Sequence, residues 1–423
     1  MSFSNMSRFV LIAAVILIVL LIALVWHFKP LPPGVVYMTT GSPGGFYDQV
    51  AQKYKKHFAD AGIDLRLVPS NGAVENLNRL NDPNSNISVG FVQGGLTDQN
   101  RSPGLVSLGT VFYEPIWFFS RGVDVGRRLE ALRGHKISIG PENSGTHSIV
   151  MELLRLNGID PSVAPMIPLT ASESGVQLLS GDISGAIMVA SWDTPIVRKL
   201  VADPLVDLAS FTRADAYVAL YPYLTKLILP QGVGNMAANR PPADVILVST
   251  EASLVIRKNL SPPIQYLLLD AATEIHSGPG IFQRAGQFPA PHAVDIPISK
   301  EAMQFYKSGI PFLQRHLPFR VAAAIESLAI LLIPILGVLY PLVRVAPAAY
   351  AWNTRRRIFN LYGEVKLIEL EMESPTPTPV LIQRLNKLEE RAMHMRISNM
   401  FAQFSYVLRQ HIDLVRARLM ERK

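Results

Sequence analysis

A short apolar segment, a glycine-rich turn and an amphipathic helix succeed one another between residues 35 and 60, and this succession constrains the fold most. Residues 35–38 are apolar, residues 39–47 read TTGSPGGFY, and apolar residues then recur every fourth position up to Phe58. A helix that begins after such a turn offers unpaired backbone N–H groups and the positive end of its dipole, so it favours an anion. A tight turn whose glycines serve only backbone geometry fits the same residues.

The succession of strand and helix recurs farther along the chain. Residues 65–68 and 87–92 have the pattern of strands, and a helix with Val74, Leu77 and Leu80 facing inward is predicted between them. Strands that alternate with helices predict an α/β domain with mostly parallel sheets. Ligands of such sheets bind beyond the carboxyl ends of the strands.

Small or polar residues occupy those carboxyl ends. Three of the predicted strands lead into residues 40–45, 70–72 and 93–95, which include Asn71 and Gln93. Because the carboxyl ends of parallel strands meet at one edge of a sheet, we expect these residues to lie close together.

A second helix start with glycine, serine and threonine follows a predicted strand at residues 136–140. Ser144 and Thr146 are candidates to cap this helix. Two such helix starts that face each other across a cleft would form a clamp for a small carboxylate. Trp192, which follows another predicted strand at residues 186–189, is suited to wall such a pocket.

Enzymatic, cofactor and metal chemistry find little support in the sequence. The chain has no cysteine, which excludes disulfides, thiolate nucleophiles and zinc–thiolate sites. It contains neither G-x-G-x-x-G nor a Walker A motif, and no two histidines have H-x-x-x-H spacing. Ser144 and His147 are three residues apart, but no nucleophile elbow surrounds them. We therefore expect no catalysis, no cofactor and no metal site.

Two long apolar runs frame the predicted domain. The first, at residues 9–28, and the second, at residues 321–343, are each long enough to cross a bilayer. The positive-inside rule then predicts a bacterial inner-membrane protein with residues 1–8 and 344–423 in the cytoplasm and residues 30–318 in the periplasm. A cleaved signal peptide for the first run and a buried core helix for the second are the alternatives.

Residues 344–423, here called the tail, are basic and have a helical pattern. The net charge of the chain is +7, and 14 Lys/Arg against 8 Asp/Glu in the tail supply most of it. This location predicts an acidic membrane surface as a partner, and no nucleic acid. Apolar residues step by three and four through residues 380–420, after a proline-rich break at residues 375–379. A self-packed helical hairpin and a docking site for a cytosolic or membrane partner both fit this pattern.

Five stretches resemble the TAXI-type solute receptors of tripartite ATP-independent periplasmic (TRAP) transporters. They follow the order of that family within residues 35–310: TTGSPGGFY (39–47), SNGAVENLNRL (70–80), VGFVQGG (89–95), LRGHKISIGPENSGT (132–146) and YPYLTKLILPQGV (221–233). The resemblance implies a type II periplasmic-binding-protein-like, two-lobed α/β domain. With the features above, the predicted fold is this domain flanked by two transmembrane helices, with an α-helical cytoplasmic tail.

The resemblance also implies the bounds of the two lobes. The first lobe would comprise residues 35–113 and 247–312, and the second would comprise residues 114–246. The hinge would pass near residues 112–115 and 245–248.

Most candidate ligand-binding residues are also implied by the resemblance. Together with Trp192, they are Ser42, Gly45, Phe46 and Tyr47 of the first loop, Asn71 and Gln93 at the next two strand ends, and Ser144, Gly145 and Thr146 of the second helix start. Phe46 stands where the family usually has a small residue, and residues 190–195 replace a loop usually richer in glycine. The identity of the ligand therefore stays open.

These features predict a membrane-anchored extracytoplasmic solute-binding protein that is not an enzyme. It would capture a small organic anion or amino acid, dicarboxylate or glutamate-like, for TRAP-type transport. The predicted partners are this ligand, TRAP-type membrane subunits and the lipid bilayer. The alternative is a membrane sensor or scaffold, in which the TAXI-like domain signals through the tail to a cytosolic partner.

Overall fold

The computed structural model describes residues 32–123, 129–159, 161–162, 164–292, 295–395 and 401–421. The chain divides into two compact units, with the boundary between Ala324 and Ile325. The described residues up to Ala324 are called the α/β unit here, and those from Ile325 onward the helical unit.

Strands and helices alternate through the α/β unit. The strands are β1 (Val35–Thr39), β2 (Asp64–Val68), β3 (Val89–Gln93), β4 (Leu105–Ser120), β5 (Ile137–Ser138), β6 (Met166–Ile167), β7 (Gly185–Val189), β8 (Asp207–Leu208), β9 (Thr225–Leu229) and β10 (Val245–Arg257). The helices are α1 (Phe46–Asp60), α2 (Ala73–Asn81), α3 (Gly145–Leu156), α4 (Ala171–Ser180), α5 (Pro195–Ala202), α6 (Ala214–Leu220), α7 (Pro262–His276), α8 (Lys300–Ser308) and α9 (Phe312–His316), with a short 3₁₀ helix at Leu129–Leu132. The predicted α/β class is therefore confirmed.

The strands of the described residues form one mixed sheet in the order β2-β1-β3-β10-β4-β7-β5-β6, with β9 beside β10 and β8 beside β4. The pairs β1–β2, β1–β3, β5–β6 and β5–β7 are parallel. Every described pair that contains β4 or β10 is antiparallel. The prediction of mostly parallel sheets is wrong, because these two long strands run against all the strands that they contact.

Two regions of apolar packing flank the long strands. Around β1, β3, α1 and α7, the periodic residues Val50, Tyr54 and Phe58 of α1 are buried, as their spacing predicts, and they pack with Phe91. Around the other end of the sheet, the side chains of β4 alternate between two clusters. Phe118 packs with α3, whereas Trp117 packs with α5 and β10. The sheet thus has a core at each end, and β4 passes through both.

The helical unit begins within a long helix, α10 (Phe319–Glu371), and continues with α11 (Thr378–Met393) and α12 (Ala402–Glu421). Apolar residues at spacings of three and four, including Val365, Leu385 and Ile412, form its buried core. The helical pattern of residues 380–420 falls within two helices, and residues 396–400 between them lie outside the described residues.

The prediction of two membrane spans is wrong. No helix among the described residues is long and apolar enough to cross a membrane. Residues 321–343 belong to α10, a continuous helix of 53 residues that carries on through the basic residues 355–357, so the apolar run is not a separate element with its own ends. The predicted first span, residues 9–28, lies outside the described residues. The inner-membrane localisation with a periplasmic main domain and both termini in the cytoplasm depended on these spans, and it is wrong with them.

The buried core of the helical unit gives a stability prediction. We expect Leu385→Ala to lower the free energy of unfolding by about 2–5 kcal/mol, because a fully buried leucine loses its contacts and leaves a cavity. Leu414, which is 60% exposed, serves as the control, and Leu414→Ala should change it by less than about 0.5 kcal/mol. Urea unfolding followed by circular dichroism at 222 nm measures both. Equal effects of the two substitutions would contradict the helical packing described above.

Candidate functional site

The carboxyl ends of β1 and β2 are tied together by their loops. The N–H of Thr40 donates to the carbonyl of Val68 at 3.0 Å, and the N–H of Ser70 donates to the carbonyl of Gly41 at 3.1 Å. The hydroxyl of Ser70 also lies 3.2 Å from the carbonyl of Thr40, to which it donates. Because β3 runs parallel to β1, Gln93 at its end lies at the same edge of the sheet.

The start of α3 meets this edge. The N–H of Glu75 in α2 donates to the carbonyl of Asn143 at 3.2 Å. A β-carbon placed on Gly72 would lie 3.4 Å from the β-carbon of Ser144, and one placed on Gly145 would lie 2.0 Å from Oε1 of Gln93. The loop 40–47, the loop 70–72, Gln93 and the turn 143–146 are together called the strand-end site.

The starts of two helices keep open N–H donors at the strand-end site. Gly45, the N-cap of α1, offers no side-chain acceptor, and within the described residues the N–H groups of Phe46, Tyr47 and Asp48 have no partner. Donors in the first turn of a helix attract an anion, because the helix dipole adds to their partial positive charge.

Ser144 caps α3, as the sequence predicts. Its hydroxyl oxygen accepts from the N–H of His147 at 3.1 Å and donates to the carbonyl of Pro141 at 2.6 Å. The N–H groups of Gly145 and Thr146 have no partner in the part of the chain that the structure describes. At the start of α3, Ser144 therefore satisfies the N–H of His147, whereas the N–H groups of Gly145 and Thr146 remain available to a ligand.

Gln93 places an unsatisfied amide in front of α3. Its side chain is buried, with 3% exposed, and Oε1 has no hydrogen-bond partner among the described residues. A buried polar atom without a partner costs about 1–3 kcal/mol, so this arrangement calls for a ligand or an ordered water.

Tyr47 and Glu114 form a buried polar pair beside the start of α1. The hydroxyl of Tyr47 donates to Oε2 of Glu114 at 2.8 Å. Burial raises the pKa of Glu114 to about 8, so its carboxyl is mainly neutral at pH 7. Burial and the neighbouring Glu114 also raise the pKa of Tyr47.

Phe46 and Trp192 wall a cavity of about 380 Å³, here called the aromatic cavity. The ring of Phe46 meets that of Phe112 edge-on, with 4.9 Å between centroids. Trp192 leans on buried Trp117, whose indole N–H donates to the carbonyl of Ala190 at 2.7 Å and so fixes the loop that carries Trp192.

The remaining predicted residues have other positions. The side chain of Asn71 is exposed, and Ser42 contributes its carbonyl, which accepts from the N–H of Gly45 at 2.8 Å. The hydroxyl of Thr146 accepts from the N–H of Val189 at 3.4 Å, so this side chain links α3 to β7. The structure thus gathers Gln93, Ser144 and Gly145 at one point and places Phe46 and Trp192 together at another.

Sequence reasoning missed Glu114 and Lys53. Glu114 is the one acid in the apolar run VFYEPIWFF, and a lone carboxylate in such a run is a signal of a buried polar site. Lys53 has no such signal, since it is one of several lysines on α1 and only the structure places it at the aromatic cavity.

The raised pKa of Glu114 predicts how stability depends on pH. The folded protein holds this proton up to about pH 8, whereas an unfolded glutamate loses it near pH 4.5. The stabilisation is therefore complete below pH 4.5 and is lost as the pH rises to about 8, at up to about 1.4 kcal/mol per pH unit. We expect Glu114→Gln to remove this fall in the free energy of unfolding, as measured by urea unfolding between pH 5 and pH 9. Glu142→Gln, at an exposed position, is the control, and identical pH profiles for both variants would refute the assignment.

Three solved structures show distant similarity to this chain. A protein of Bordetella bronchiseptica RB50 is 16% identical, with a TM-score of 0.41, over 58% of this chain and 71% of that one. The periplasmic aliphatic sulphonate binding protein SsuA from Escherichia coli is 14% identical, with a TM-score of 0.35, over 58% and 69%. The BenM effector binding domain with its effector benzoate is 12% identical, with a TM-score of 0.38, over 59% and 95%. Values this low support no statement about what this chain binds.

No curated protein matches the sequence. The model of the NMT1-like family matches residues 38–307, which is more than half of the chain and includes the strand-end site and the aromatic cavity. The chain therefore belongs to the NMT1-like family.

Proposed function

We propose that this protein is a solute-binding protein, not an enzyme, and that it holds a small organic anion at the strand-end site. One observation carries the proposal: open N–H donors at a helix start lie beside a buried amide oxygen that has no partner among the described residues, at Gly145 and Gln93. Helix-start donors suit an anion, and the amide oxygen of Gln93 can accept from an N–H or O–H group of the same ligand.

The proposal includes two lobes that close on the ligand. We take the lobes to be residues 35–113 with 247–312, and residues 114–246. The two cores at opposite ends of β4 support this division, since β4 and β10 are the strands that pass from one core to the other. The hinge positions implied by the TAXI resemblance lie on these strands.

The finer proposal is a TAXI-type receptor that delivers its solute to TRAP-type membrane subunits. The five stretches quoted above support it, and the family match covers all of them. Phe46, which replaces a small residue usual in TAXI receptors, walls the aromatic cavity, so the solute need not be the one that those receptors take.

The geometry of Ser144 and His147 supports a binding role over catalysis. The Ser144 hydroxyl is engaged with the carbonyl of Pro141 and the N–H of His147. The ring Nδ1 of His147 lies 3.3 Å from the carbonyl of Gly140, so base and hydroxyl are not presented to each other as a nucleophilic pair.

A thermal-shift screen of the full-length chain against small carboxylates, sulfonates and amino acids tests the proposal. A ligand at 100 times its Kd should stabilise the folded state by about 2.7 kcal/mol, which raises the melting temperature measurably. If no compound of the panel raises it, the solute-binding function is refuted.

Gln93→Leu tests the site itself. We expect the variant to lose at least most of the ligand-induced shift, because the amide that contacts the ligand is gone. The empty protein should melt at the same temperature or higher, since an unsatisfied buried oxygen is removed. Gln52→Leu, at an exposed position of α1, is the control. A full ligand-induced shift in Gln93→Leu would place the ligand elsewhere.

A further inference from the structure

The aromatic cavity is walled by rings that hold one another in place. Its lining includes Phe46 of α1, Phe112 and Tyr113 of β4, Trp192 and Phe282. Phe282 contacts Trp117 with 6.2 Å between ring centroids, on the same buried indole that supports Trp192. A cavity of about 380 Å³ is in the range of small-ligand sites, and the rings of Phe46 and Trp192 in its wall suit a flat aromatic group.

A single cationic side chain lies among the described residues that line this cavity. Lys53 is exposed, and within the described residues it makes no ion pair or hydrogen bond. His276, the other basic group of the lining, is buried and bonded through Nε2 to the hydroxyl of Tyr54 at 3.1 Å. Burial, followed by the charge of Lys53, lowers the pKa of His276 to about 3, so this ring is neutral. One ammonium group is therefore available to an anion.

The cavity disfavours a second anionic group. Asp193, also in the lining, is exposed and carries a negative charge, so it repels an additional carboxylate. The side chains of Phe46, Phe112 and Phe282 offer no hydrogen-bond partner, and burying a carboxylate against them is costly. One carboxylate of a dicarboxylate could thus pair with Lys53, whereas the other would be repelled by Asp193.

We infer that the aromatic cavity is a second ligand site, which takes an amphipathic monoanion whose one anionic group pairs with Lys53 and whose aromatic-sized body lies between Phe46 and Trp192. This inference goes beyond the proposed function, because the lining of the cavity includes neither Gln93 nor Gly145. The ligand of this second site differs in kind from the dicarboxylates and glutamate-like amino acids that the TAXI resemblance implies. Phe46, at the start of α1, belongs to both sites.

Calorimetric titration of the full-length Gln93→Leu variant, in which binding at the strand-end site is expected to be lost, tests the ligand class of the aromatic cavity. The probes are 3-phenylpropanoate, its uncharged amide 3-phenylpropanamide, glutarate and L-glutamate. We expect 3-phenylpropanoate to bind at least tenfold more tightly than each of the other three. Tighter binding of glutarate or L-glutamate, or no binding of 3-phenylpropanoate, would overturn the inference, and neither outcome bears on the strand-end site, which is tested by the ligand-induced shift of the unaltered protein.

Variants of the cavity test the two contacts separately. Lys53→Met should weaken 3-phenylpropanoate about tenfold or more and leave the affinity for the uncharged amide unchanged, because only the ion pair is lost. Lys55→Met is the control, since Lys55 is exposed on the same helix and does not line the cavity. Equal affinities in Lys53→Met and Lys55→Met would overturn the role of Lys53.

Trp192 supplies a second readout. Trp192→Ala should weaken 3-phenylpropanoate severalfold, whereas Trp192→Phe should keep the affinity and lose most of the ligand-induced change in tryptophan fluorescence. Both variants can be checked for folding by their far-ultraviolet circular dichroism. If Trp192→Ala binds as the parent does, or if Trp192→Phe keeps the whole fluorescence change, the ligand does not lie in the aromatic cavity.

Discussion

The antiparallel pairing of β4 with β10 is the interaction on which the rest of the α/β unit depends. The two strands run side by side from the pair Ser249–Pro115 to the pair Arg257–Leu105. Each also pairs with strands of the flanking groups, so both cores are built against the same two segments of chain. Glu114 lies on this pair, opposite Thr250, and from there it reaches the start of α1. The sheet, both cores and the candidate site therefore all depend on the pairing of β4 with β10.

The buried polar groups Gln93 and Glu114 lower the stability of the folded protein, and ligand binding explains why they are present. An apolar side chain in place of Gln93 would remove an unsatisfied oxygen, and a neutral amide in place of Glu114 would remove a titrating group from the interior. A protein selected only for stability has little reason to keep both groups. Natural proteins accept such local costs at functional sites, where a bound molecule supplies the missing contacts.

The sequence predicts local features such as helices and caps well, but it predicts the directions of the strands in the sheet poorly. The four-residue spacing from Phe46 onward and the Ser144 cap depend on neighbours along the chain, so a pattern of a few residues is enough to define them. The mixed sheet was not predictable in this way, because an apolar run such as β4 carries no mark of its direction. The prediction of a membrane span at residues 321–343 was wrong for a related reason. The hydropathy of a window depends only on its composition and carries no information that the helix continues to Glu371. Lys53 could not be assigned, since its role depends on rings that come from β4, from the loop at Trp192 and from Phe282.

The position of β10 between β3 and β4 affects how the protein folds during its synthesis. Strand β10 emerges from the ribosome long after β3 and β4, which end at Gln93 and Ser120. At synthesis rates of about 5–20 residues per second, roughly 10–30 s pass between the synthesis of β3 and that of β10, which pairs with its edge. During that interval two apolar strand edges stand unpaired in the nascent chain, which is the kind of surface that aggregates or binds chaperones. The native order of the sheet thus makes the final assembly of both cores a late, long-range event.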